Sequence, residues 1–252
     1  MLYLIGLGLF DEQDISLRGI EALRRSGRVY VEQYTGFFHG EIERIEALCG
    51  MRVVVLSRLD LEEHPLDTVL KDAVKENVSL LVPGDPMVAT THADLVLRAR
   101  RIGAKVQVIH ASSVYSAVAE TGLQIYKFGR TTSIVFPEGS YLPESPYDVL
   151  KDNFGRGLHT LCLLDIRADE QRYMTVVDAI GILLDISRRR KDDFFTDESF
   201  CVGVARLGGD VVIRAGRAIE LLKFDFGLPP QVLIVPGKLH YMESEMLDIF
   251  RV

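Results

Sequence analysis

Three short segments combine glycines, small hydroxyl side chains and a carboxylate where an apolar run gives way to a helical pattern. They are Gly6-Leu7-Gly8-Leu9, Pro83-Gly84-Asp85-Pro86 and Ala111-Ser112-Ser113-Val114. Glycine lets a backbone approach a ligand closely, and ligands of open α/β sheets sit at the C-terminal edge of the strands. In the second segment two prolines fix the backbone around a glycine and a carboxylate. In the third, small residues at a helix start leave amides and hydroxyls available. Each segment also has a plain structural reading: a tight turn, a Gly-Asp turn and an N-cap.

Other chemistry finds less support. The first segment lacks the third glycine of GxGxxG, and Phe10-Asp11-Glu12 sets bulk and negative charge where a pyrophosphate would need N–H groups. A nicotinamide-type dinucleotide site is therefore disfavoured. Ser112 and Ser113 lie in no GxSxG elbow and have no assignable base. The six histidines His39, His64, His92, His110, His159 and His240 show no HExxH spacing, so no metal site is expected. Cys49, Cys162 and Cys201 show no CxxC spacing and read as buried thiols in a reducing compartment.

The elements that must position these segments follow from periodicity. In the first half, strands are predicted over 2–6, 29–33, 52–57, 78–82 and 105–110, and helices over 40–48, 66–75, 91–102 and 114–120. Asp14 is placed to cap a further helix carrying Ile15, Ile20 and Leu23 on one side, with Gly27 after its end, and Thr90 or Thr91 to cap the helix at 91. This alternation predicts βαβ units around a largely parallel sheet. Glycines and prolines crowd 121–146, and lobes are predicted over 1–125 and 126–252. The second lobe has strand patterns at 133–136, 160–165, 200–205, 211–214 and 231–235, with helices at 147–154, 175–190, 217–223 and 241–250. Gly208-Gly209-Asp210 between two of those strands predicts a hairpin, hence a mixed sheet.

The bulk composition excludes several classes. A hydrophobic share of 48% with 26% charged residues is that of an ordinary globular chain, and no apolar run reaches the roughly 20 residues of a spanning helix. A net charge of −7 disfavours nucleic acid as the main partner, and Arg188-Arg189-Arg190-Lys191, followed by Asp192 and Asp193, reads as a solvated helix end. The start, Met1-Leu2-Tyr3-Leu4-Ile5-Gly6, reads as a strand and not as a signal peptide, which predicts a cytoplasmic protein.

Taken in order, the three segments make the chain resemble the tetrapyrrole methylase superfamily over nearly its whole length. That resemblance implies an α/β fold of the two-lobed, class III methyltransferase type, with a mostly parallel N-terminal sheet, a mixed C-terminal sheet and S-adenosyl-L-methionine in the cleft between lobes. Within the superfamily the likeness narrows to the diphthine synthase family. It does so through Tyr3-Leu4-Ile5-Gly6-Leu7-Gly8-Leu9, Pro83-Gly84-Asp85-Pro86, Thr90-Thr91-His92-Ala93 and Tyr126-Lys127-Phe128-Gly129. Gly157-Leu158-His159-Thr160, Tyr173-Met174-Thr175 and Val235-Pro236-Gly237-Lys238-Leu239-His240 complete the likeness.

The resemblance implies methylation of the amino nitrogen of a 3-amino-3-carboxypropyl group on one histidine of translation elongation factor 2, in diphthamide biosynthesis. It also implies S-adenosyl-L-homocysteine as product and a homodimer; the compact length is similar to archaeal-type members, which add three methyl groups. Its cofactor contacts fall on Leu9, Asp85, Val88, Ser113 and Val114, and in the second lobe on Leu164, Leu207 and Gln231. Leu207 stands where relatives carry small residues and Gln231 where they carry histidine, which implies contacts through the backbone. The alternatives are a related methyltransferase acting on a corrinoid-type ring or ribosomal RNA, a non-catalytic protein-binding module, and a nucleotide-dependent oxidoreductase.

A sulfonium methyl is already activated, so the protein has chiefly to align nitrogen, methyl carbon and sulfur, an effect potentially worth about 7–11 kcal/mol. Asp85 is expected to orient the methyl donor by hydrogen bonding, with Leu9, Val88 and Leu164 as apolar walls. An α-amino group is substantially protonated near pH 7, so a base or a desolvating pocket is expected. No residue is assigned that role from sequence; His110, beside the third segment, is a candidate. A quaternary product would favour nearby Tyr or Phe rings. Tyr126-Lys127-Phe128-Gly129-Arg130 and Lys238-Leu239-His240 are candidate docking surfaces for the protein substrate.

Overall fold

A computed structural model of the chain describes residues 1–139 and 141–252. It comprises two compact units, Met1–Tyr115 and Ser116–Val252. The division lies N-terminal to 125/126 because the intervening residues fold with the second unit. The Gln124 N–H donates to Glu243 at 2.9 Å, and a Cβ on Gly122 would stand 2.3 Å from the Met246 Cβ.

The first unit runs β1 (Leu2–Gly6), α1 (Leu17–Arg24), β2 (Arg28–Glu32), α2 (Ile42–Cys49), β3 (Val53–Leu56), α3 (Arg58–Glu62), α4 (Val69–Ala73), β4 (Val78–Val82), α5 (His92–Arg101) and β5 (Val106–Ile109). All five strands are parallel, in the order β3-β2-β4-β1-β5. β1 and β4 are central and buried along their length, which is why they read as unbroken apolar runs. Side chains alternate between the sheet's faces. Ile5, Val29, Val31 and Leu81 pack with Leu23 of α1 and Ile45 of α2, while Leu2, Leu4, Leu80 and Val82 pack with Leu61, Leu70, Leu95 and Ala99 of α3, α4 and α5. The connection leaving β1 leads to β2 and that leaving β4 leads to β5, in opposite directions along the sheet. Between these adjacent strands lies the topological switch point where open α/β sheets hold ligands.

Several local expectations are corrected. Ser16, not Asp14, caps α1, its hydroxyl accepting the Gly19 N–H at 3.1 Å, because the Asp14 carboxylate is drawn into the preceding loop. Neither Thr90 nor Thr91 caps α5: the Thr90 hydroxyl donates to the Pro86 carbonyl and the Thr91 hydroxyl to Glu62. The helix expected over 66–75 shortens to α4, and α3, too brief to show a period, precedes it with a Ser57/Asp60 capping box. The helix expected over 114–120 is α6 (Val114–Ala117) followed by a 3₁₀ turn ending at Gly122, whose φ is 83°.

The second unit continues with β6 (Thr132–Ile134), α7 (Ser145–Gly155), β7 (Thr160–Leu164), β8 (Ile166–Arg167), β9 (Arg172–Tyr173), α8 (Val176–Arg190), β10 (Phe200–Ala205), β11 (Val212–Arg217), α9 (Ala218–Leu221), β12 (Gln231–Val235) and α10 (Tyr241–Asp248). Its main sheet, β11-β10-β12-β7-β6, is antiparallel except for the β6–β7 pair, as the mixed-sheet reading predicts. The buried face of α8, with Val176, Ala179, Ile180, Leu183 and Leu184, carries the three- and four-residue spacing that made this helix legible. Arg190, in its basic last turn, is paired with Glu144 and Asp148. Among the described residues no helix is long and apolar enough to cross a membrane, and all three cysteines are free and buried.

Candidate functional site

The three segments singled out in the sequence meet at Gly6. A Cβ there would stand 2.5 Å from the Gly84 carbonyl oxygen, 2.6 Å from the Ala111 Cβ and 3.1 Å from Pro86. Beyond it, the Gly8 N–H donates to the Gly84 carbonyl at 3.2 Å and the Gly84 N–H to the Gly8 carbonyl at 2.8 Å. Both glycines take positive φ, 85° and 68°, which side chains rarely adopt.

Asp85 ties the second segment to the third. Its side chain is 5% exposed. Oδ1 accepts the Met87 N–H at 2.9 Å, and Oδ2 accepts the Ala111 N–H at 3.2 Å while lying 2.8 Å from His110 Nδ1. A buried carboxylate is tolerable because these bonds replace its hydration. Beneath the loop, buried His92 reaches the Pro86 carbonyl through Nδ1 at 3.1 Å, with its Nε2 3.9 Å from Glu32. Glu32 accepts the Tyr34 and Thr35 N–H groups at 2.9 and 3.0 Å and the Thr35 hydroxyl. Burial still pushes its carboxyl pKa up.

The first segment has already spent its amides. Asp14 Oδ2 accepts the Leu9 N–H at 3.0 Å and the Phe10 N–H at 2.8 Å. A phosphate arriving there would find a carboxylate where a dinucleotide site offers free N–H groups. Past Leu9, the Phe10 ring stacks on His39 at 4.4 Å, with Phe37 edge-on to His39 at 4.7 Å. The edge therefore suits a ligand held by apolar walls and neutral polar groups.

Of the site residues expected from sequence, the first unit gathers Leu9, Asp85, Val88, Ser113 and Val114 in these loops at the C-terminal edge of its sheet. Asp85 and Ser113 are buried, and Leu9, Val88 and Val114 half-buried. The second unit brings its three together on one edge of its own sheet. β12 runs antiparallel to both neighbours, which puts Gln231 beside Ala205 and next in register to Leu164, with Leu207 just beyond. All three are buried. The Gln231 amide is consumed inside the unit, accepting the Val176 N–H at 2.9 Å and donating to the Gly227 carbonyl at 2.8 Å. Asp14 and Glu32 were missed as loop-building residues. Glu32 carried a signal, a carboxylate closing the apolar strand β2, whereas Asp14, eight residues past β1, read as a helix cap; the partners of both were not visible.

The two candidate docking segments are tied to each other by internal hydrogen bonds. Lys127 turns its ammonium to buried Glu243 and to the Lys238 carbonyl. Glu243 also accepts from the His240 N–H at 2.7 Å, the Gln124 N–H at 2.9 Å and His159 Nε2 at 3.0 Å, while His159 Nδ1 accepts the Gly237 N–H at 3.1 Å. The blocks around Lys127, His159 and Lys238 are thus sewn together from inside, leaving Tyr126 and Tyr241 exposed. Burial alone would raise the Glu243 pKa, but these bonds outweigh it and hold the group down at about 2. Burial holds the His159 ring below the usual imidazole range.

Comparison with known proteins adds a consistent picture. Residues 1–208 match the family of Tetrapyrrole (Corrin/Porphyrin) Methylases. A diphthine synthase of Methanocaldococcus jannaschii is 45% identical over 251 residues, covering 98% of this chain and 97% of that protein. One from Methanococcus maripaludis is 43% identical, with the same coverage of both chains. A crystal structure of diphthine synthase superposes with a TM-score of 0.90 at 39% identity, covering 99% of this chain and 95% of that one.

Two outcomes follow for stability. Gly6→Ala forces the three segments apart and lowers the unfolding free energy by roughly 1–3 kcal/mol, whereas Gly155→Ala, with nothing within 4 Å of its added Cβ, does not; urea midpoints compare them. Glu243 and His159 both have lowered folded pKa values, so their stabilisation is full above the ordinary imidazole range. It is lost as pH falls, first through His159 and finally as Glu243 protonates at about 2. Glu243→Gln lowers stability at neutral pH by about 3 kcal/mol and flattens this acid-side slope, read from urea unfolding at several pH values.

Proposed function

The chain belongs to the tetrapyrrole (corrin/porphyrin) methylase family and is a methyltransferase, and from that premise we propose that it performs the diphthine synthase reaction. The substrate in this reading is the 3-amino-3-carboxypropyl group on a histidine of translation elongation factor 2, whose amino nitrogen accepts up to three methyl groups from S-adenosyl-L-methionine. The observation that carries it is the edge at Gly6, where three loops converge and the first loop's amides are filled by Asp14. Such an edge rejects a pyrophosphate and favours a nucleoside-like cofactor without phosphate.

Leu9, Val88 and Val114 offer apolar walls, Ser113 a hydroxyl, and Asp85 the frame that holds the second and third loops together. In the second unit Leu164, Leu207 and Gln231 are the proposed contacts, with Gln231 acting through its backbone because its amide is engaged. S-adenosylmethionine supplies an activated sulfonium methyl when bound. The residues supply fixed loops, exclusion of water and alignment. A homodimer is also proposed, supported by the half-exposed Val54 and Val55 on edge strand β3. Work in the cytoplasm without nucleic-acid partners is proposed as well, supported by three unpaired buried thiols and the net negative charge.

Calorimetry is expected to find binding of S-adenosylmethionine and S-adenosylhomocysteine and none of NAD. Asp85→Ala weakens cofactor affinity on the order of tenfold, as loss of about one hydrogen-bonded tie implies, without unfolding the protein; unaltered affinity counts against this role. Mass spectrometry of elongation factor 2 bearing the aminocarboxypropyl histidine, after incubation with enzyme and cofactor, is expected to gain the mass of methyl groups. An unchanged mass together with transfer to a tetrapyrrole or RNA overturns the substrate.

A further inference from the structure

The edge proposed to hold the cofactor also carries a carboxylate–imidazole pair, Asp85 with His110, whose imidazole the proposed cofactor contacts leave unused. His110 follows β5 with 70% of its side chain exposed, whereas its partner Asp85 is 5% exposed. Asp85 Oδ2 lies 2.8 Å from His110 Nδ1 and takes the Ala111 N–H as well, while Oδ1 takes the Met87 N–H. The carboxylate is therefore locked by the backbone on both oxygens before it meets the ring. An ionised carboxylate only accepts, so Nδ1 carries the ring hydrogen and Nε2 keeps its lone pair. Fixing the tautomer with a buried carboxylate while leaving the other ring nitrogen outward is how imidazoles are prepared for proton transfer.

The surroundings keep that nitrogen accessible. With 70% of its side chain exposed, the His110 ring is reachable from solvent. Among the described residues Asp85 is the charged side chain within ion-pair reach of the ring. The reaction needs such a group, because an α-amino nitrogen with a pKa of about 8 is largely protonated at neutral pH and cannot attack a methyl.

We propose that His110 Nε2 takes the proton from the acceptor ammonium before each methyl transfer, with Asp85 as its positioning residue. This rests on the amine-methylating function proposed above. At each step the N–H bond breaks and its proton passes to Nε2. The freed nitrogen pair then forms the N–CH₃ bond as the S–CH₃ bond breaks with its pair to sulfur. His110 releases the proton to solvent through its exposed face. Three rounds remove three protons and end at a nitrogen with no hydrogen left.

The test measures methyl transfer to aminocarboxypropyl-bearing elongation factor 2 by wild type, His110→Ala and His110→Gln, across the range in which imidazoles and α-amines titrate. Both variants are expected to lose about 10²–10⁴-fold in rate at neutral pH and to lose the acid-side fall of the wild-type profile. Added imidazole is expected to restore part of the His110→Ala rate, and calorimetry to find cofactor affinity unchanged. Nitrogen NMR of the protein without cofactor is expected to find His110 in the Nδ1–H tautomer. Variant rates and profiles matching wild type, or the Nε2–H tautomer, overturn the inference alone. A wild-type enzyme that binds cofactor but leaves the acceptor unmodified overturns the substrate and this role with it.

Discussion

The missing side chain at Gly6 sets how closely three distant chain segments approach, and the first unit's edge is built on that approach. With Gly84 O and Ala111 Cβ both within 2.6 Å of where a Cβ would stand, the Gly8–Gly84 bridge can close and Asp85 can reach the Ala111 N–H. Were the segments further apart, a carboxylate that is 5% exposed would lack donors, at a cost of several kcal/mol. Close packing comes first here, and polar satisfaction depends on it. The sheet topology makes the meeting useful, because it occurs where the connections from β1 and β4 diverge.

Asp14 and Asp85 use one device for opposite ends. Each is a carboxylate that accepts backbone N–H groups, exposed Asp14 at 2.8–3.0 Å and buried Asp85 at 2.9–3.2 Å. Asp14 thereby withdraws donors that a phosphate would use and sets a negative charge at the first loop. Asp85 organises the neighbouring loops and lends its remaining capacity to His110. Ligand selection then works by exclusion as much as by attraction, which is how a site distinguishes related nucleoside ligands.

Much of the fold was legible in the sequence. The strands at Leu2–Gly6, Val78–Val82, Phe200–Ala205 and Gln231–Val235 have the ends expected of them, because apolar runs stop at glycine, proline or charge. Local signals failed where two neighbouring residues could do the same job. Ser16 and Asp14 can each cap α1, and the choice was made by the Leu9 and Phe10 amides. The three loops were visible as segments, but beyond the nearby Met87 N–H the partners of Asp85, His110 and the Ala111 N–H, lie 25 and 26 residues away and no local pattern encodes them. The segments holding Lys127 and Lys238 read as candidate docking surfaces, and only tertiary packing shows the Lys127 charge turned toward Glu243.

The Glu243 cluster also bears on how the protein is made. Glu243 sits on the last helix, yet its partners Gln124, Lys127 and His159 precede it by 119, 116 and 84 residues. During synthesis β6, α7 and β7 emerge with the Lys127 ammonium and the His159 ring lacking their carboxylate. That part of the second unit therefore cannot complete its interior before α10 has been made. The first unit has no such debt, since its five strands pair only with one another. Assembly is accordingly vectorial, with the first unit's edge able to form early and the second unit closing only once α10 is available, so a chain broken off before α10 would leave the Lys127 and His159 region open to proteolysis.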